Sequence, residues 1–209
     1  MQGRNNYTII IGLLIVAFTV QGCALLQNTS VVELTPARLT CQANPEFVDG
    51  DLQTVGEFWA NGSIRQLYHI EVKPGALTKP GDSVTTHSGT LKTKTLIKLD
   101  KPTYVSYVEI YSVSEIPKIT LDLTTEEKSP KWANSFIPVK DKRYTNVKER
   151  QVARFYIRQK VLYLRITADG IANLGNSEST TSEDPNFTHE FVTPLQGAKI
   201  REVKIYERL

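Results

Sequence analysis

Short runs of β-branched and aromatic residues, each closed by a proline or glycine turn, recur from residue 64 to the end of the chain. Ile64 to Val72 reads I-R-Q-L-Y-H-I-E-V. Thr95 to Leu99 (T-L-I-K-L) runs into Asp100-Lys101-Pro102, where proline is expected to stop the ladder because it has no N–H to donate. Tyr104 to Val113 (Y-V-S-Y-V-E-I-Y-S-V), Lys118 to Leu123 (K-I-T-L-D-L) and Lys199 to Tyr206 (K-I-R-E-V-K-I-Y) are strands by composition and alternation. Val152 to Thr167 reads as two strands or one bent strand. In its second half Leu162, Leu164 and Ile166 face one way and Val161, Tyr163 and Arg165 the other. Turn residues separate these runs at Lys73-Pro74-Gly75, Lys79-Pro80-Gly81-Asp82, Ser129-Pro130 and Asp169-Gly170. No segment past residue 23 carries a 3.6-residue apolar stripe over three turns, so the chain is predicted to be all-β, an antiparallel sandwich or barrel. Asn173 to Glu190 breaks the pattern, and its Ser, Thr, Asn and Glu content predicts disorder.

The N-terminus sets where such a domain works. Met1 to Asn6 is polar with one positive charge at Arg4, and Thr8 to Val20 is an uncharged apolar run. That run fits a signal-peptide core and falls short of the roughly 20 residues a spanning helix needs. Val20-Gln21-Gly22-Cys23 follows and resembles the bacterial lipobox, in which the cysteine takes a lipid on sulfur and becomes the new N-terminus. The expected organisation is a signal peptide at 1–22, lipidated Cys23 with a tether to 42, and one domain at 43–209. An ordinary signal peptide cut near Gly22, or an uncleaved anchor, are the alternatives. The tether is polar, although Val31-Val32-Glu33-Leu34 also reads as a first strand. The only other cysteine is Cys41, so a lipidated Cys23 leaves the fold without an intrachain disulfide. The 187 residues from Cys23 onward are enough to bury roughly 70% of their unfolded surface. Localisation is expected at the cell envelope, on the outer membrane in a Gram-negative host because Ala24 rather than Asp follows the cysteine.

Composition excludes more than it selects. The formal net charge is +3 with lysines and arginines scattered, so no basic stripe points to nucleic acid. His69, His87 and His189 lie far apart in sequence, and H-E-x-x-H, C-x-x-C and G-x-S-x-G are absent. Glu126-Glu127 sits in a charged turn and reads as solvated. The expected activity is therefore none: a binding module and not an enzyme.

Four motifs stand in order along the chain: Val48-Asp49-Gly50-Asp51-x-x-Thr54; Leu96-Ile97-Lys98-Leu99-Asp100-Lys101-Pro102 with Val105, Val108, Ile110 and Tyr111; Leu162-Tyr163-Leu164-Arg165-Ile166; and Ile200-Arg201-Glu202-Val203-Lys204-Ile205-Tyr206. Together they resemble the discoidin family, or coagulation factor 5/8 type C domain, of the galactose-binding-like superfamily. The resemblance covers residues 43–208, with 60–92 and 170–198 as insertions, and implies a jelly-roll β-sandwich of two packed sheets.

It also implies a structural calcium ion. In that reading Asp49 and Thr54 give side-chain oxygens, Asn44 and Asp51 backbone oxygens, and Glu202 a carboxylate from the last strand, as a six- to eight-oxygen site requires. The resemblance further implies carbohydrate binding by loops at one end of the sandwich, with Trp59, Arg65, Tyr68, His69 and Trp132 as candidates. Trp59 and Trp132 read more readily as core residues than as a ligand platform, and Tyr68 and His69, being adjacent in a strand, point to opposite faces. Arg165 reads as a structural salt bridge. The alternative is an envelope protein–protein interaction module without a sugar site, with the lipid anchor supplying membrane contact in either case.

Overall fold

Two long strands, Lys92–Ser112 and Val152–Asp169, pair antiparallel along almost their whole length and organise the rest. The computed structural model describes residues 30–71, 74–90, 92–125, 135–140 and 144–209, so the expected signal peptide at 1–22, Cys23 and Trp132 lie outside the described residues. In chain order the strands are β1 (Val31–Glu33), β2 (Leu39–Cys41), β3 (Gly56–Glu57), β4 (Asn61–Tyr68), β5 (Ser83–Thr90), β6 (Lys92–Ser112), β7 (Ile116–Thr124), β8 (Ile137–Pro138), β9 (Thr145–Val147), β10 (Val152–Asp169), β11 (Ile171–Ala172), β12 (Glu178–Thr181), β13 (His189–Gln196) and β14 (Lys199–Arg208). The main sheet runs β1-β14-β6-β10-β7-β8, with β2 also on β6, β3 on β14 and β9 on β7. A second sheet runs β11-β13-β4-β5, with β12 on β13.

The β6/β10 ribbon bends. Its register shifts between Tyr156 and Gln159 and again between Val161 and Tyr163, and Arg158 adopts φ +56°. Beyond the bend, the first half of β6 gains β2 as its other neighbour and the second half gains β14. Inward side chains from both halves (Ile97, Leu99, Val108, Ile110, Phe155, Leu164, Ile166) join Leu121, Ile200 and Ile205 in one cluster. No residue of the second sheet belongs to that cluster, so the main sheet closes over its own core as a sandwich. Ridding these fully buried side chains of water contributes roughly 1.5–3 kcal/mol each.

Pro102 does not end β6, contrary to expectation. It falls in the stretch between Leu99 and Thr103 that has no partner on β10, so no ladder N–H is missing there. Arg38 satisfies this bend instead: its guanidinium donates to Asp100 at 3.2 Å, to Thr103 Oγ1 at 3.2 Å and to Glu207 at 2.6 Å. Residues 30–42 are correspondingly part of the fold and not a tether. β1 pairs with β14, β2 pairs with β6, and Leu34 and Cys41 are buried.

The two segments read as insertions, 60–92 and 170–198, are what builds the second sheet. β4 pairs with β13 from Tyr68↔His189 to Ser63↔Pro194, although about a hundred residues separate them in sequence. The expectation of disorder for 173–190 is therefore corrected. Thr and Ser are adequate strand formers once a neighbouring edge offers hydrogen bonds, and β12 with the start of β13 lies in this stretch.

The turn from β13 into β14 locks this sheet to the core. Phe58 N–H donates to Ala198 O at 3.0 Å, and Gly197 N–H donates to Glu57 Oε1 at 3.1 Å. An added Cβ at Gly197 would overlap the Phe58 carbonyl, a backbone atom that cannot swing away. Gly197→Ala is expected to cost about 1–3 kcal/mol, the usual penalty of overpacking. Urea unfolding with an unchanged midpoint would contradict this joint.

Candidate functional site

Alternation puts Tyr107, Glu109 and Tyr111 on the outer face of β6, opposite core residues Val108 and Ile110. Cross-strand register then decides their neighbours. On β10, Tyr156 pairs with Tyr107, Arg154 with Glu109 and Val152 with Tyr111. On β14, Tyr206 pairs with Tyr107, Lys204 with Glu109 and Glu202 with Tyr111. Three strands thus lay down a row of tyrosines, a row of charges and a row that ends on a carboxylate.

Glu109 holds this face together. Its side chain is buried, with Oε2 accepting from Tyr111 Oη at 2.9 Å and Tyr206 Oη at 3.1 Å, and Oε1 accepting from Arg154 Nε at 2.9 Å and from Arg154 Nη2. Burial alone would raise its pKa, but these donors outweigh it and hold the carboxyl below its ordinary value. Burial and the adjoining carboxylate push the Tyr111 phenol up to about 12, and burial, Glu109 and Glu33 push Tyr206 up as well. Tyr107 stacks on Tyr206 with centroids 4.3 Å apart, and the Arg154 guanidinium lies over its ring 4.9 Å from the centroid. Tyr107 is thus engaged by residues of both neighbouring strands, and it serves as scaffold.

Beside this scaffold opens a cavity of about 490 Å³ lined by Glu109, Tyr111, Tyr144, Val152, Arg154 and Tyr156. Tyr144 is set by its packing on Phe155 at 4.7 Å. The cavity is open to solvent, and its lining combines three tyrosines with the Arg154–Glu109 pair, within the size range of small-ligand sites.

At the end of the same face, the 49–54 loop covers Glu202. Gly50, at φ +79°, presents its N–H to Glu202 Oε2 at 2.9 Å. Asp49 accepts from Asp51 N–H at 2.8 Å and from Thr54 Oγ1 at 2.8 Å, while Arg201 Nη1 donates to Leu52 O at 2.8 Å. The loop is thus clamped to the last strand. Burial pushes the Glu202 carboxyl up to about 7; the Gly50 N–H opposes this and the nearby Asp49 charge adds to it. A buried carboxylate raised by burial and a like charge fits a cation site in chemistry.

The other expected ligands fit less well. The backbone oxygens expected of Asn44 and Asp51 are engaged in local turns, Asn44 O accepting from Phe47 N–H at 3.0 Å and Asp51 O from Thr54 N–H at 3.3 Å. Thr54 Oγ1 donates to Asp49 and to the Asp51 carbonyl, 2.9 Å away. Among the described residues no group of three or more His, Cys, Asp or Glu side chains converges, so any cation here takes two carboxylates and backbone oxygens.

Among the described residues, the expected sugar-binding side chains Trp59, Arg65, Tyr68 and His69 do not converge. Trp59 is 75% exposed, because its neighbour Phe58 turns inward onto Phe47 at 4.9 Å and alternation sends Trp59 out. Tyr68 lies at the far end of β4, roughly 25 Å along the strand, edge-on to Phe191 at 5.4 Å. Arg65 pairs with Glu190, donating from Nη2 at 2.8 Å. His69 is buried on the opposite face from Tyr68, with Nδ1 2.8 Å from Thr78 Oγ1. Arg165 forms the salt bridge read from the sequence, to Asp122 at 2.6 Å. The residues that sequence reasoning missed are Tyr107, Glu109, Tyr111, Tyr144, Arg154, Tyr156 and Tyr206. The i, i+2, i+4 spacing of the first three was visible, and so were the strands β10 and β14; the register that sets those strands beside them was not.

No protein-family model and no curated protein matches the chain. Solved structures similar to it include the C-terminal domain of a chitobiase from Bacteroides fragilis, at 10% identity and TM-score 0.46 over 85% of this chain and 99% of that chain. The family 32 CBM from C. perfringens NanJ in complex with galactose is similar at 14% identity and TM-score 0.47, over 85% of this chain and 100% of that one. Chitosan-binding module 1 from a chitosanase/glucanase of Paenibacillus sp. IK-5 is similar at 11% identity and TM-score 0.44, over 80% and 92%. What this chain binds is read from its own residues.

The Glu202 carboxyl makes stability depend on pH. Its folded pKa of about 7 lies above its ordinary value of 4.5. Its contribution is full below about pH 4.5 and is lost as pH rises through 7. In chelator, unfolding free energy is expected to fall by on the order of 2–3 kcal/mol between pH 5 and pH 8, and this part of the fall to vanish in Glu202→Gln. Equal losses in both proteins would contradict the assignment.

Proposed function

We propose that the chain is a non-catalytic binding module, anchored at the cell envelope by a lipid on Cys23, which recognises carbohydrate in the cavity on the outer face of β6 and β10. The observation that carries this reading is the lining itself: three tyrosines around one arginine–glutamate pair. An aromatic ring covers the apolar face of a sugar while hydroxyls exchange hydrogen bonds with a polar rim. Tyr111 and Tyr156 would supply ring surface, and Arg154, held in place by Glu109, a fixed donor. A cavity of about 490 Å³ suits one or two sugar rings.

The same lining argues for binding over hydrolysis. Glycoside cleavage takes two carboxyl groups, one of them kept protonated by a raised pKa. Glu109 is the one carboxylate among the lining residues, and its donors hold it ionised.

Calcium is proposed at the loop that covers the last strand. Asp49 and Glu202 would hold it with loop backbone oxygens, and the ion would neutralise the buried carboxylate and fix the edge of the face next to Tyr111. Calcium is then expected to restore the stability lost above pH 7, and to leave Glu202→Gln unchanged.

The functional test is titration of the full-length chain in detergent against a panel of oligosaccharides. A specific glycan is expected to bind, with affinity falling about tenfold or more, some 1.4 kcal/mol, in Tyr156→Ala and in Arg154→Ala. Trp59→Ala is expected to bind as the parent does. Loss in Trp59→Ala with Tyr156→Ala unaffected would move the site to the loops before β4, and no binding across the panel would remove the carbohydrate reading.

A further inference from the structure

The strands at the margins of a sheet present unpaired N–H and C=O groups, and natural proteins keep such edges short, charged or interrupted by proline. Most edges of this molecule obey that rule. β1 has three residues and ends on Glu33, which pairs with Lys204 at 3.1 Å. β8 is two residues, the second of them Pro138. β12 is four residues and opens on Glu178.

β5 does not obey it. It is eight residues long, Ser83-Val84-Thr85-Thr86-His87-Ser88-Gly89-Thr90, with no Lys, Arg, Asp, Glu or Pro. Every one of its residues is exposed. It pairs with β4 from Asn61↔Thr90 to Tyr68↔Ser83 and ends the order of its sheet, with no second neighbour among the described strands. At one end Gly62 and Gly89, both with positive φ, let the two backbones approach more closely than any Cβ allows, while the register stays continuous along the strand.

From this edge we infer that the chain self-associates, with β5 of one copy adding antiparallel to β5 of a second. Two-fold pairing places each residue near the axis opposite itself or its neighbour, so a charge there would meet its own kind. β5 carries none. Its side chains are Thr and Ser on both faces, with Val84 and His87, and directly opposed Thr and Ser pairs stabilise an antiparallel ladder. A partner recognised by charge would find nothing on this edge to recognise. The contact is isologous and closes after two copies, joining the two small sheets edge to edge across β5.

Hydrogen exchange on the full-length chain in detergent, with micelles in excess over protein, tests this. A roughly hundredfold rise in protein concentration is expected to slow exchange of the outward β5 amides about tenfold, as mass action requires of a dimer. Thr85→Lys and Thr86→Lys, which place charge on opposite faces of the edge, should each abolish that protection and give a monomer by sedimentation, with circular dichroism unchanged. The inference is overturned by β5 exchange that does not respond to concentration. It is equally overturned by association that survives both lysine variants, which would assign it to the apolar run near the N-terminus or to another surface.

Discussion

The bend in the β6/β10 ribbon is the constraint on which the rest of the molecule depends. Two paired strands of 21 and 18 residues are too long for one face of a small domain. Here they fold over at the register shifts near Arg158 and Val161, so that each contributes a strand to both layers. The bend costs ladder hydrogen bonds, and Arg38 offsets part of that cost by bonding Asp100, Thr103 and Glu207 at once. In return Leu164 and Ile166 come to face the same core as Val108 and Ile110. The outer face of the second half of β6 is left open between β14 and β10, and the tyrosine cavity forms there.

Two carboxylates on that face show how environment sets chemistry. Glu109 and Glu202 are both buried, and both lie on strands whose alternate residues enter the core. Glu109 accepts four hydrogen bonds and stays ionised. Glu202 has the Gly50 N–H with Asp49 nearby, and its proton is held until about pH 7. One is finished as a scaffold; the other has the electrostatics of a group that gains from a cation. Register places them one row apart, opposite Lys204 and Tyr111 in turn, so a change at the loop over Glu202 reaches the cavity wall through Tyr111.

The all-β class and five of the strands (β4, β6, β7, β10 and β14) were legible in the sequence because β-branched alternation and Gly/Pro turns report local preference directly. Core faces were harder. β10 buries odd positions at Ala153 and Phe155 but even ones at Leu164 and Ile166, because the bulge between Val161 and Tyr163 flips the parity. Residues 31–41 read as a polar tether, with Val31 to Leu34 as a first strand the other reading, since strands this short gain their order from β14 and β6 and not from their own composition. β5 and β12 were invisible for the same reason: Ser and Thr pair when an edge is provided, and here β4 and β13 provide it, once they have paired with each other from distant parts of the chain. The Asp49–Gly50–Glu202 contact was read from a motif, whereas the cavity exists only through the three-strand register of Tyr206, Tyr107 and Tyr156.

The central claim is that ligand sits on the outer face of β6 and β10. The most direct measurement is nuclear magnetic resonance of the chain with labelled tyrosine rings, titrated with the glycan that binds. The account predicts that the ring signals of Tyr111, Tyr144 and Tyr156 shift together while those of Tyr68 and Tyr163 stay in place. Shifts confined to Tyr68, with the three cavity tyrosines unmoved, would contradict it.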